Sequence, residues 1–61
     1  MKITMNQLDE LVKTLPEGER FDRLYNAIEG DLRIISKDTR GYEYRYSVRE
    51  QQDGSLKLVA F

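Results

Sequence analysis

Asp9 with Glu10 and Asp38 with Glu43 are paired carboxylates in this chain, and Ser36, Ser47 and Ser55 are its serine hydroxyls. Paired acids can divide general acid from general base work, and a serine can attack an acyl or phosphoryl centre once a base takes its proton. Neither chemistry finds its other half here. The 61 residues include no histidine and no cysteine, so the usual activating base, the thiolate nucleophile and the imidazole or thiolate metal ligands are all missing. In a chain with 34% charged residues, neighbouring acids are expected on any solvated surface. No phosphate-cradling glycine loop, dinucleotide turn or acidic calcium loop occurs. The expectation is a protein that is not an enzyme and that holds no cofactor and no metal.

Binding chemistry is better represented. Tyr42, Tyr44, Tyr46 and Val48 occupy every second position, with Glu43, Arg45, Ser47 and Arg49 between them. Side chains of an extended strand alternate between faces, so this segment shows one aromatic and one charged side. The period of two continues on both flanks, in Leu32, Ile34 against Arg33, Ile35, Lys37, and in Leu56, Leu58, Ala60 against Lys57, Val59, Phe61.

Glycine positions set the register of these three strands. Thr39-Arg40-Gly41 and Gln52-Asp53-Gly54 each place glycine third in a three-residue hairpin loop, a type I turn followed by a left-handed bulge residue. Asp38 then pairs with Tyr42 and Gln51 with Ser55, so Ile34 faces Tyr46, Leu32 faces Val48, Val48 faces Leu58 and Tyr46 faces Ala60. All the alternating apolar residues fall on one side. A two-residue Asp53-Gly54 loop scatters Leu56 and Leu58 among charged partners instead.

Two helices are expected before the strands. Met5, Leu8, Leu11, Val12 and Leu15 follow helical spacing after a capping box of Thr4 and Gln7, with Ile3 stapled onto Leu8, and Pro16 and Gly18 interrupt the run. Phe21, Leu24, Tyr25 and Ile28 predict a second helix from about Glu19 to Glu29, stopped by Gly30. Glu10, Glu17, Glu19, Asp22 and Glu29 are expected on the solvated helix faces. The expected fold is α+β: an N-terminal helical hairpin packed on one face of a three-stranded antiparallel meander, ααβββ in two layers, with residues 1–61 as one domain. In that arrangement the tyrosine row is core.

The other sheet face is then open, carrying Arg33, Ile35, Arg45, Arg49, Lys57, Val59 and Phe61. Ile35, Arg45 and Phe61 share one row across the strands, and Val59 stands opposite Ser47. Arginines ringing a few apolar side chains are typical of protein interfaces, while scattered apolar residues on a charged face are also ordinary surface. These seven residues are the expected partner-binding set. The expected function is a non-catalytic protein-binding module, a small regulator or inhibitor of bacterial or phage type that docks this face, or an edge strand, onto a larger protein. Two alternatives stand beside it: nucleic-acid binding through the basic face, and a homodimeric structural subunit joined through an edge. The net charge of -1 does not favour nucleic acid. No apolar run approaches a membrane span and the N-terminus lacks a signal-peptide pattern, so a cytoplasmic protein without membrane partners is expected.

Overall fold

Helix α1, Met5–Val12, begins where the capping box predicts. The Gln7 amide donates to Thr4 Oγ1 at 3.1 Å and the Thr4 amide donates to Gln7 Oε1 at 2.8 Å, which satisfies two backbone donors that a helix start leaves unpaired. The helix stops short of Leu15. Thr14 turns both its amide (3.0 Å) and its hydroxyl (2.7 Å) onto the Leu11 carbonyl, tightening the last turn before Pro16. A turn closed by the Glu19 amide on the Pro16 carbonyl follows, with Gly18 at φ 90°, the left-handed third position of a type II turn. The computed structural model describes residues 2–61, apart from the side chain of Glu29.

The expected second helix is a strand. Strand β1 runs Arg20–Asn26 and is followed by a 3₁₀ turn at Ile28–Gly30. A bulge between Phe21 and Arg23 explains the misleading period: the extra residue, Asp22, lets Phe21 and Leu24 fall on the same sheet face although they are three apart, which is also helical spacing. Gly30 is left-handed as expected, at φ 75°, but it ends the 3₁₀ turn and not an α-helix.

Strands β2 (Leu32–Lys37), β3 (Glu43–Glu50) and β4 (Leu56–Ala60) complete an antiparallel meander in the order β1-β2-β3-β4. Among the described residues the fold is therefore α+β with one α-helix and four strands. The expected register of the last three strands is present, with Ile34 opposite Tyr46, Val48 opposite Leu58 and Tyr46 opposite Ala60. Gly41 and Gly54 have φ of 91° and 88° and donate to Asp38 and Gln51 carbonyls at 3.1 and 3.0 Å, the bulged three-residue loops that impose this register.

The core lies between α1 and one face of the sheet. Leu11 packs with Leu32, Ile34 and Val48, and Ile3, Leu8, Phe21, Leu56 and Leu58 surround them. Because a single eight-residue helix covers this face, where a hairpin was expected, the tyrosine row is only partly core. Tyr46 is 9% exposed, Tyr44 36% and Tyr42 61%, a gradient leading away from the core cluster along β3. Tyr44 donates its hydroxyl to Asp38 Oδ2 at 2.9 Å, and Arg40 lies over the Tyr42 ring at 4.9 Å. The Glu19 carboxylate, expected in solvent, is half-buried and receives the hydroxyls of Ser36 and Tyr46, each at 2.6 Å. Asp22 sits in the bulge, Glu10 and Glu17 are exposed as expected, and the side chain of Glu29 lies outside the described residues.

Candidate functional site

The sheet face turned away from α1 is four strands wide because β1 belongs to it. Arg23, Ile35, Arg45 and Phe61 form one row; Tyr25, Arg33, Ser47 and Val59 form the next; Arg20 joins Lys37 and Glu43, and Arg49 joins Lys57. The Phe61 amide extends the β4 ladder by donating to the Arg45 carbonyl at 3.2 Å. Seven of the ten basic residues of the chain, Arg20, Arg23, Arg33, Lys37, Arg45, Arg49 and Lys57, thus share one face. Asp22, Asp31 and Glu43 are the acids that pair with them there. The face carries an excess of positive charge, while the remainder of a chain of net charge -1 is acidic.

Two bridges reach over an intervening strand. Arg23 on β1 meets Glu43 on β3 at 3.2 and 3.3 Å, passing across β2, and Lys37 stands 3.7 Å from the same carboxylate. The Arg23 hydrogen bond holds the Glu43 carboxyl below its ordinary pKa against the opposing effect of burial, and Glu43 with Asp22 raises Arg23 in turn. Farther along, Phe61 beyond β4 meets Arg33 on β2, the guanidinium 4.3 Å from the ring centroid, passing across β3 where Ser47 is small enough to admit the contact. Arg33 is raised above its ordinary value by its hydrogen bond with Tyr25, against burial, with Asp31 adding to the rise. Asp31 is a hub: it accepts from Arg33 Nε at 3.0 Å and Ser47 Oγ at 3.4 Å and lies 3.8 Å from Arg49.

These bridges change one expected binding residue into a core residue. Ile35 is 1% exposed, with Arg23 and Arg45 flanking it in its row and the Arg23 to Glu43 bridge beside it, so it cannot be a contact residue in the folded protein. Arg33 is half-buried and committed to Asp31 and Phe61. Arg45, Arg49, Lys57, Val59 and Phe61 are exposed, Phe61 by 68%. Arg45, Lys57 and Arg20 have no acidic partner among the described residues. Arg20, Arg23 and Tyr25 are additions that the sequence did not yield, because β1 read as helix, and Asp31, just before β2, is a further one that was not singled out. The adjacent pair Ile34-Ile35 was the available signal: two consecutive apolar residues mark a strand covered on both faces and paired on both edges.

No protein-family model, curated protein or solved structure matches this chain.

Three of the residues named above as candidates for acid–base or nucleophilic chemistry are held in hydrogen bonds. Burial pushes the Asp38 carboxyl up, but hydrogen bonds from Tyr44 and from the Arg40 and Tyr42 amides leave it below its ordinary pKa. Ser36 is fully buried on Glu19, and Ser55 donates to Asp53 at 2.6 Å within its own turn. Among the described residues no three or more acids gather as a metal-ligand set, and no helix is long and apolar enough to cross a membrane.

Proposed function

We propose that this protein is a non-catalytic binding module whose open sheet face docks onto an acidic surface of a larger protein and regulates or inhibits it. The carrying observation is the collection of seven basic side chains on one face, with Phe61 and Val59 exposed among them. Charge of one sign steers association, and an exposed aromatic beside arginines supplies the kind of anchor that dominates protein interfaces. Asp22, Asp31 and Glu43 are interleaved with the basic groups and hold several of them in place. A mosaic of fixed signs suits the varied charges of a protein surface better than the uniform phosphates of a nucleic acid, which repel those carboxylates.

The test is capture of a partner from nuclease-treated host lysate by the full chain and by an Arg45→Glu, Phe61→Ala variant. Arg45 lies beside the buried Ile35 and Phe61 lies against the Arg33 guanidinium, so the melting temperature of the variant is read alongside, and Lys57→Glu, exposed and without an acidic partner among the described residues, is the second variant that should melt with the wild type. The expected result is a partner with an acidic contact surface, retained without nucleic acid and lost with the variant. Titration with single- and double-stranded oligonucleotides at two salt concentrations runs in parallel. Tight binding there with a steep salt dependence, and no protein captured, would replace this reading with nucleic-acid recognition.

A further inference from the structure

The two edges of the sheet are unlike. On β1 the bulge at Asp22 breaks the even spacing of outward backbone groups, and Arg20, Asp22 and Arg23 crowd that edge with charge. Both features discourage an incoming strand. On β4 the register with β3 is unbroken from Leu56 to Ala60, and Lys57 is the single charged residue.

Backbone parity on β4 follows from its hydrogen bonds. Gln51 donates to the Ser55 carbonyl at 2.7 Å and Phe61 donates to Arg45 at 3.2 Å, so the bonded pairs fall at the odd positions 55, 57, 59 and 61. The amides and carbonyls of Leu56, Leu58 and Ala60 therefore point outward. None of these groups bonds another element among the described residues.

The two sides of this edge differ chemically. Lys57 and, one strand in, Arg49 and Arg45 face the basic side. On the helix side a groove of about 470 Å³ runs between α1 and the start of β4, with Leu11 and Leu56 in its wall. An added strand alternates its side chains between these two environments. Carboxylates complement the first and aliphatic side chains the second.

We infer that β4 accepts an extended segment of the partner in which acidic and apolar residues alternate, adding a fifth strand to the sheet. The inference rests on the acidic-partner reading above and specifies how the partner is held.

The probe is a capped nine-residue peptide alternating glutamate and valine, titrated into the isotope-labelled full chain and followed by amide NMR. The amides of Leu56, Leu58 and Ala60 should shift and their hydrogen exchange should slow at least tenfold. Peptides N-methylated at every second amide are made in both phases; one phase should bind like the parent and the other should lose binding. Ala60→Pro removes one outward donor without disturbing a bond to β3, and Lys57→Glu reverses the edge charge. Each should weaken binding at least fivefold with little change in melting temperature. Equal binding of a lysine and valine peptide overturns the charge argument. Shifts confined to Arg20, Arg45 and their neighbours, with both methylated phases binding equally, overturn strand addition while leaving the acidic-partner reading intact. Absence of peptide binding at millimolar concentration also overturns strand addition, and the lysate capture, which does not use this peptide, then decides the broader reading separately.

Discussion

Ile35→Ala should destabilise the protein by about 2–5 kcal/mol, the range for truncating a fully buried aliphatic side chain. For a domain of this size that is a large share of the whole folding free energy, on the order of 3–9 kcal/mol, so the variant should lose much of its stability. The side chain is 1% exposed although, among the described residues, no second layer of helix or sheet lies over its face. Long side chains do the covering: Arg23 and Arg45 lie in its row, and Arg23 is tied across β2 to Glu43. Ile35→Val, costing about 0.5–1.5 kcal/mol, keeps the effect measurable if the alanine variant does not fold. Urea denaturation of both, beside Val59→Ala on the same face, gives the contrast. Val59 is exposed and its truncation should scarcely move the midpoint. If Ile35→Ala instead unfolds with the wild type, the bridges do not cover it and Ile35 returns to the contact surface.

The same residue shows why part of the fold was legible in the sequence and part was not. The registers of β2, β3 and β4 follow from Gly41 and Gly54, since a left-handed third loop residue permits one hairpin geometry and one pairing. The capping box of Thr4 and Gln7 is equally local. Strand β1 was hidden because its bulge restores helical spacing to Phe21 and Leu24, and because Gly30 suits the end of a 3₁₀ turn as well as that of an α-helix. The decisive information lay elsewhere in the chain, in a strand whose adjacent isoleucines need cover on both sides. Reading β1 as helix removed Arg20, Arg23 and Tyr25 from the open face and left Ile35 uncovered there. Arg45, Arg49, Lys57, Val59 and Phe61 were found because their strands were placed in the correct register.

Tyr46→Ala should cost about 3–5 kcal/mol, and Tyr46→Phe should show where part of that energy resides. Tyr46 is 9% exposed, and its hydroxyl shares Glu19 Oε1 with Ser36, tying the turn that follows α1 to the centre of the sheet. Losing one charge-assisted hydrogen bond costs about 1.5–3 kcal/mol, less where Ser36 retains the carboxylate. Burial first, and the Glu19 carboxylate second, push the Tyr46 phenol from its ordinary 10.0 up to about 12. In the unfolded chain it ionises near its ordinary value, so between pH 10 and pH 12 the folded protein holds a proton that the unfolded one has lost. Stability from this group is full below pH 10, declines through that window and is gone above it. The decline should not exceed about 2–3 kcal/mol. Tyr46→Phe has no proton to lose there. Melting temperatures of wild type and Tyr46→Phe should therefore differ most near pH 8 and converge by about pH 11.5, whereas Tyr44, 36% exposed and raised by its hydrogen bond to Asp38, should give Tyr44→Phe a smaller convergence of the same sign. A gap between wild type and Tyr46→Phe that stays constant with pH would mean that Tyr46 ionises freely in the folded state and that its bond to Glu19 does not hold the turn to the sheet.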